Sequence, residues 1–171
     1  LTARQAETLE LCTDASTEGV AIELVVAGDR LRLDPAVAIS VRHPPVSFSS
    51  SSDNANSVVL EIAYAGRRVL LTGALEDDGQ THLTSVPGRP VDILLSPHHG
   101  SLRANRRDWA EWARPTWVLV SGGRSTTETA LRHSYPDQTQ IPSTRRRGAI
   151  GVPITVEGQI SVTNGTGDPT K

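Results

Sequence analysis

The segment Pro97-His98-His99-Gly100-Ser101 sets two imidazoles beside a glycine, directly after the apolar run Val91-Asp92-Ile93-Leu94-Leu95. Imidazole is the commonest metal ligand and titrates nearest neutral pH. One ring could face a metal and the other a substrate, with the glycine allowing close approach. A polar turn whose imidazoles bond nearby backbone would give the same pattern, and spacing alone does not choose between them. Ser101, at the end of the segment, is a candidate hydroxyl for the same site. His43 precedes Pro44-Pro45 at the end of a second apolar run, where proline can no longer donate to a ladder. Leu70-Leu71-Thr72-Gly73-Ala74 leaves a third strand through glycine and closes on a residue with no donor, acceptor or charge. His82 and His133 lie in polar surroundings and read as solvated surface.

Arginine carries the other candidate chemistry. Arg103, Arg106 and Arg107 directly follow the histidine pair, and Arg145, Arg146 and Arg147 form a second cluster. Either could contact nucleic-acid phosphates, or be no more than an arginine-rich solvated surface. With 17 basic and 19 acidic side chains the net charge is −2, so bulk charge gives no affinity for polyanions. Any such affinity must come from a local patch.

These residues need strands and turns to place them. Residues 2–13 have the spacing of a short amphipathic helix. Strands are expected at Val20–Val26, Leu31–Leu33 and Val37–Val41, separated by Ala27-Gly28-Asp29 and Asp34-Pro35 turns. The serine-rich loop from residue 47 to Asn56 reads as the least ordered interior part. Ser57–Tyr64 and Arg68–Thr72 form a hairpin about Ala65-Gly66, and Val91–Leu95 and Trp117–Val120 read as buried strands. Helices are expected at Gly79–Ser85 and Asn105–Ala113. Residues 124–147 read as irregular apart from a helical turn at Glu128–Arg132. Ala149–Val156 and Gln159–Val162 suit a closing hairpin about Glu157-Gly158, and residues 164–171 a frayed tail. Strands interleaved with helices indicate a layered α/β domain over residues 1–163.

At 171 residues the chain can build one core, and 37% of it is hydrophobic. It has no methionine and starts at Leu1, which reads as a piece of a longer protein. The single cysteine, Cys12, excludes an intrachain disulfide and a cysteine-rich zinc site. No apolar run approaches the ~18 to 20 residues that cross a bilayer.

Taken in order, several segments resemble the metallo-β-lactamase-type domain of ComEC-like competence proteins. They are Ala27-Gly28-Asp29-Arg30-Leu31, His43-Pro44-Pro45 and Asp53-Asn54-Ala55-Asn56-Ser57-Val58-Val59-Leu60. Leu70-Leu71-Thr72-Gly73, the Val91–Leu95 run into the histidine turn, Thr144-Arg145 and Gly148-Ala149-Ile150 follow. The resemblance implies the C-terminal half of an αββα sandwich, with a mixed sheet and flanking helices. It implies metal ligands at His43 and at His98 or His99, and zinc or manganese in the intact domain, where a metal-activated water attacks a phosphodiester. Two departures point to a degenerate centre. The His-x-His-x-Asp-His motif is absent, and Ala74 stands where a metal-bridging aspartate is expected. Where the family often has Gly-His-Pro, this chain has Ser134-Tyr135-Pro136, leaving Tyr135 as a phosphate hydrogen-bond donor. The chain alone is therefore expected to hold no metal and to be inactive. It would be part of a DNA-uptake protein of the bacterial inner membrane, on the periplasmic side. The implied partners are DNA, the missing N-terminal half of the domain and the parent's membrane channel, with self-association through the uncovered face. The alternative is a non-catalytic module that guides DNA.

Overall fold

The computed structural model describes residues 3–122 and 128–164, with side chains from residue 8 onward. Helix α1 (Ala3–Thr17) leads into a six-stranded sheet ordered β1 to β6. Strands β1 (Arg30–Asp34), β2 (Val37–His43), β3 (Val59–Tyr64) and β4 (Arg67–Leu71) make an antiparallel meander. β5 (Ile93–Leu95) and β6 (Trp117–Leu119) then add in parallel, each after a crossover. The crossovers carry α2 (Asp77–Thr84) and α3 (Arg107–Ala113). Beyond β6 lie the short helices α4 (Glu128–Leu131) and α5 (Thr144–Arg147) and the small hairpin β7 (Ile150–Gly151) with β8 (Thr163–Asn164).

The β3–β4 hairpin turns in two residues because Ala65 (φ 48°) and Gly66 (φ 74°) both take the left-handed conformation that matches strand twist. Successive strand residues alternate between faces, so the register divides the sheet cleanly. Leu70, Leu94 and Val118 are neighbours on one face and fully buried. With Val59, Leu75, Leu83, Trp109, Ala113 and Leu131 they form the core beneath the helices. Each such side chain contributes roughly 1.5–3 kcal/mol of transfer free energy.

The opposite face is also apolar. Leu60, Ile62, Val69, Leu71, Leu95, Trp117 and Leu119 lie on it, and each is only half-buried. The β6 edge is closed by residues 139–144, which run alongside it (Val118 N to Gln140 O, 2.8 Å; Val120 N to Pro142 O, 3.0 Å). β1 is the other edge of the sheet.

Residues 20–26 form no strand. Extended β-formers need a ladder to join, and the chain first bonds β2 only at Gly28, after Ala27 bonds Pro44 just beyond the strand. Leu24 accordingly stands 94% exposed. The serine-rich loop is better organised than its composition suggests. Asn56 bonds Ser50 and Ser52 backbone, Ser52 Oγ accepts from Ala55 N, and Ala55 is buried. The helical segment at residues 2–13 extends to Thr17, and α5 forms inside a stretch expected to be irregular. The closing hairpin does turn at Glu157-Gly158, with Ile154 bridged to Ile160, although its strands are short. Most of the expected tail, residues 165–171, lies outside the described residues.

Candidate functional site at the ends of β4 and β5

The parallel pair β4–β5 brings two strand ends together, and the chemistry gathers there. Thr72 Oγ1 donates to Leu95 O (2.8 Å), and His98 N donates to Gly73 O (3.0 Å). These bonds fasten the loop after β4 to the turn after β5. In that turn His98 (φ 47°), His99 (φ 55°) and Gly100 (φ 83°) are all left-handed. The conformation is easy for glycine and costs a side-chain-bearing residue of order 1–3 kcal/mol, so the surroundings must hold it.

Asn105 supplies much of that hold. Its Nδ2 donates to Pro97 O (3.1 Å) and Ser101 O (2.8 Å). Its Oδ1 accepts from Ser96 Oγ (2.8 Å) and Tyr135 Oη (2.7 Å). Asn105 is fully buried, and Tyr135 is 3% exposed. Burial pushes the Tyr135 phenol above its ordinary range. Tyr135 therefore spends its proton inside the fold on Asn105, and does not present it to a phosphate at the surface. Replacing it with Phe removes one of the two donors to Asn105 Oδ1, and a loss of about 1 kcal/mol in a denaturant titration is expected.

The turn aims its two histidines differently. His99 is exposed and donates through Nδ1 to Ser121 O (2.8 Å). His98 Nδ1 meets Glu76 Oε2 at 2.9 Å, while Asn54 Nδ2 donates to Glu76 Oε1 at 2.8 Å. Glu76 is nearly buried and sits just before α2, where its carboxylate serves His98 and Asn54 and makes no helix cap. Sequence reasoning overlooked this residue by stopping at Ala74. An acid two residues past the strand-end alanine, facing a histidine turn on the adjacent strand, was the available signal.

The Asn54 amide, then His98, holds the Glu76 carboxyl below its ordinary 4.5, against the opposing effect of burial. A depressed folded pKa contributes stability that is complete above the unfolded value and lost as pH falls through the folded one. Thermal melts should therefore show stability falling from about pH 4.5 downward. Glu76→Gln should flatten that part of the curve while lowering the plateau.

His43 sits apart from this pair. It is fully buried, and its Nε2 donates to Ala55 O (2.8 Å). Its ring packs edge-on against Phe48, centroids 4.6 Å apart, and lies 5.9 Å from the exposed His82. Desolvation lowers its pKa, so it is held as neutral imidazole. The Nδ1 lone pair is buried without a partner.

A two-metal centre needs several donors converging on each ion, with a bridging carboxylate. No three His, Cys, Asp or Glu side chains converge in that way among the described residues. Ala74 adds no donor, and His98 and His99 are tied to separate partners. The described residues do not by themselves fit such a centre.

The basic clusters are largely neutralised where they stand. Arg103 forks onto Asp77 (3.0 and 2.7 Å), Arg106 onto Asp108 (3.1 and 2.9 Å), and Arg107 Nε meets Glu111 (3.1 Å). In the second cluster Arg146 pairs with Glu128 (3.2 Å). Ser101 lies half-buried, its backbone closing the histidine turn onto His98 O (2.9 Å). His133 is exposed, as expected.

A protein from Parabacteroides distasonis ATCC 8503, assigned to the metal-dependent hydrolases, superposes with a TM-score of 0.51. The fold is shared with that hydrolase. The match covers 77% of this chain and 60% of the other at 13% identity, so the likeness is one of fold. It agrees with the expected α/β class: a mixed sheet with flanking helices, one half of a metallo-β-lactamase-like sandwich. In sequence, the chain is similar to ComE operon protein 3 of Bacillus subtilis (strain 168), 30% identical over 133 residues. That alignment takes in 77% of this chain and 16% of the relative, so the chain spans a small part of the relative's length. No family model matches the chain.

Proposed function

We propose that this chain is the C-terminal half of a metallo-β-lactamase-type domain in a ComEC-like competence protein, where it guides incoming DNA with a reduced metal centre. The similarity to ComE operon protein 3 over 77% of the chain carries the reading. The reduction rests on Ala74, which puts no carboxylate at the end of β4. Without a bridging carboxylate, two cations ~3.5–4 Å apart repel with nothing between them. The parent would sit in the bacterial inner membrane with this domain on the periplasmic side. No described helix is long and apolar enough to cross a membrane.

The test pairs binding with cleavage. The purified chain should bind labelled duplex DNA at low salt and leave it intact with manganese or zinc. Cleavage by the unmodified chain would overturn the reduced-centre reading, and absence of binding would overturn the guiding role.

A second reading has its own support. His98 Nε2 is free to face outward while Glu76 fixes the ring through Nδ1, the arrangement that usually orients a metal-ligating histidine. His43 keeps an unpaired buried lone pair. Residues from the other half of the domain could complete a centre around them. In that case the parent protein would cleave DNA with manganese, and Ala74→Asp would raise its rate and metal affinity by at least the 10–100-fold attached to outer-shell partners.

The half-buried apolar face of the sheet is where the other half of the sandwich would pack. Left uncovered, such a face drives association. Sedimentation of the isolated chain should show concentration-dependent dimers or larger species, weakened by Ile62→Lys. A strictly monomeric chain at high concentration would count against an open face.

A further inference from the structure

The arginines that follow the histidine turn could reach DNA only by breaking existing ion pairs. Each of Arg103, Arg106 and Arg107 already has a carboxylate. Arg30, Arg32 and Arg68 do not: their guanidinium groups meet no acceptor among the described residues. All three belong to the meander. Arg30 pairs across the ladder with Ser40, and Arg32 follows in the bulge between Leu31 and Asp34, beside Ala38. Arg68 lies opposite Ala63, which lies opposite Ala38. One face of the sheet thus runs from the β1 arginines, across Ala38 and Ala63, to Arg68 on β4.

The floor between these arginines is small and open. Ala38 is exposed and Ala63 half-buried, and a cavity of about 500 Å³ lies along the β1 edge, lined by Arg30, Arg32 and Ala38 together with Leu31, Leu33 and Ile39. Three strand spacings separate β1 from β4, about 14 Å. Flexible guanidinium groups from the two walls therefore reach phosphates on either side of a backbone laid across the alanines. The acidic neighbours are Asp34, whose Oδ1 is turned into the β1–β2 turn by Ala36 N (2.7 Å), Glu61 opposite Ser40, and Asp92 beside Arg68, whose two oxygens are taken by Arg67 Nη1 (3.0 Å) and the Arg68 backbone N–H (2.8 Å). No aromatic side chain projects from this stretch, because Tyr64 pairs with Arg67 and alternates onto the other face. Without a stacking platform the surface has nothing to hold unpaired bases. Its chemistry suits the backbone of a duplex.

We infer that the β1–β2–β4 sheet surface, through Arg30, Arg32 and Arg68, holds the phosphate backbone of double-stranded DNA without reading its sequence. The inference rests on the DNA-guiding role proposed above and gives that role a location. Three phosphate contacts set a rise of about 2.7 in log Kd per decade of salt, from about 0.9 per contact.

Fluorescence anisotropy with a labelled random-sequence duplex tests it in the full chain. Arg30→Ala/Arg32→Ala/Arg68→Ala should weaken binding at least ~10-fold and flatten the salt slope, with little change in melting temperature, since Arg30 and Arg32 are exposed and half-buried Arg68 bonds no acceptor through its side chain. Arg103→Ala/Arg106→Ala/Arg107→Ala should leave affinity within about twofold, those charges being already paired. If the second variant loses binding and the first does not, the location is wrong while DNA binding stands. If the unmodified chain fails to bind duplex at low salt, the guiding role and the location fall together. Binding of anionic phospholipid vesicles by these arginines without DNA binding, or a strong preference for single strands, also overturns the inference.

Discussion

Asn105→Ala is expected to lower the melting temperature by about 10 °C. The side chain closes four hydrogen bonds inside the fold, and alanine replaces none of them. The Ser96 and Tyr135 hydroxyls lose a shared acceptor, and the Pro97 and Ser101 carbonyls lose a shared donor. A buried polar group left unpaired costs about 1–3 kcal/mol, and members of a satisfied network reinforce one another. A total near 3–5 kcal/mol is a conservative sum for four such groups with partial relaxation. For a chain of this size each kcal/mol moves the transition by about 2–4 °C. Circular dichroism melts check the number, and a fall below about 2 °C would mean that water replaces the amide. The variant should also free the histidine turn, so the His98 imidazole resonance should broaden or shift while His43, on β2, stays put.

Gly79→Ala tests packing against local propensity. Within a helix, alanine is favoured over glycine by about 1 kcal/mol, so propensity alone predicts a more stable chain. The packing predicts the reverse. A β-carbon at Gly79 would stand 2.2 Å from Ala55 O and 2.7 Å from Leu75 Cδ1. The nearest atom is backbone carbonyl and cannot swing aside, so α2 and the 53–56 loop must separate. Overpacking of this kind costs about 1–3 kcal/mol, occasionally more, and should outweigh the propensity gain. The displaced carbonyl is also the acceptor of His43 Nε2. Loss of stability and a changed His43 environment should therefore appear together in melts and in imidazole NMR. A stabilised variant would show that the loop yields freely.

Legibility in the sequence varied with how local the cause was. The β3–β4 hairpin was readable because Ala65-Gly66 specifies its turn within two residues. Val91–Leu95 and Trp117–Val120 were readable because strands with apolar side chains on both faces form nearly continuous apolar runs. Val20–Val26 has the same composition, yet a strand exists only where a neighbour supplies a ladder, and no local pattern reports the neighbour. The site was partly visible. Histidines at strand ends stand out by type, whereas the meeting of the β4 and β5 ends comes from a parallel pairing across a crossover. The partners of those histidines did not stand out. Glu76 stands in the acidic run Glu76-Asp77-Asp78, where nothing in the sequence sets it apart, and Asn105 reads as a helix start. Which arginines are spent on carboxylates depends on side-chain geometry, and a count of clustered charges cannot supply it.

The mixed order of the sheet also has a kinetic consequence. The β1–β2 and β3–β4 links are two-residue turns, whereas β4 reaches β5, and β5 reaches β6, only across residues 72–92 and 96–116. Loop closure becomes costlier with length, and non-local pairing is correspondingly slow. The meander should therefore assemble first and serve as a template for the parallel strands. Amide exchange should divide along the same line, with β2 and β3 protected early in refolding and β6 acquiring protection late. In a chain emerging from synthesis, the arginine-bearing surface would then be in place before the histidine turn is set.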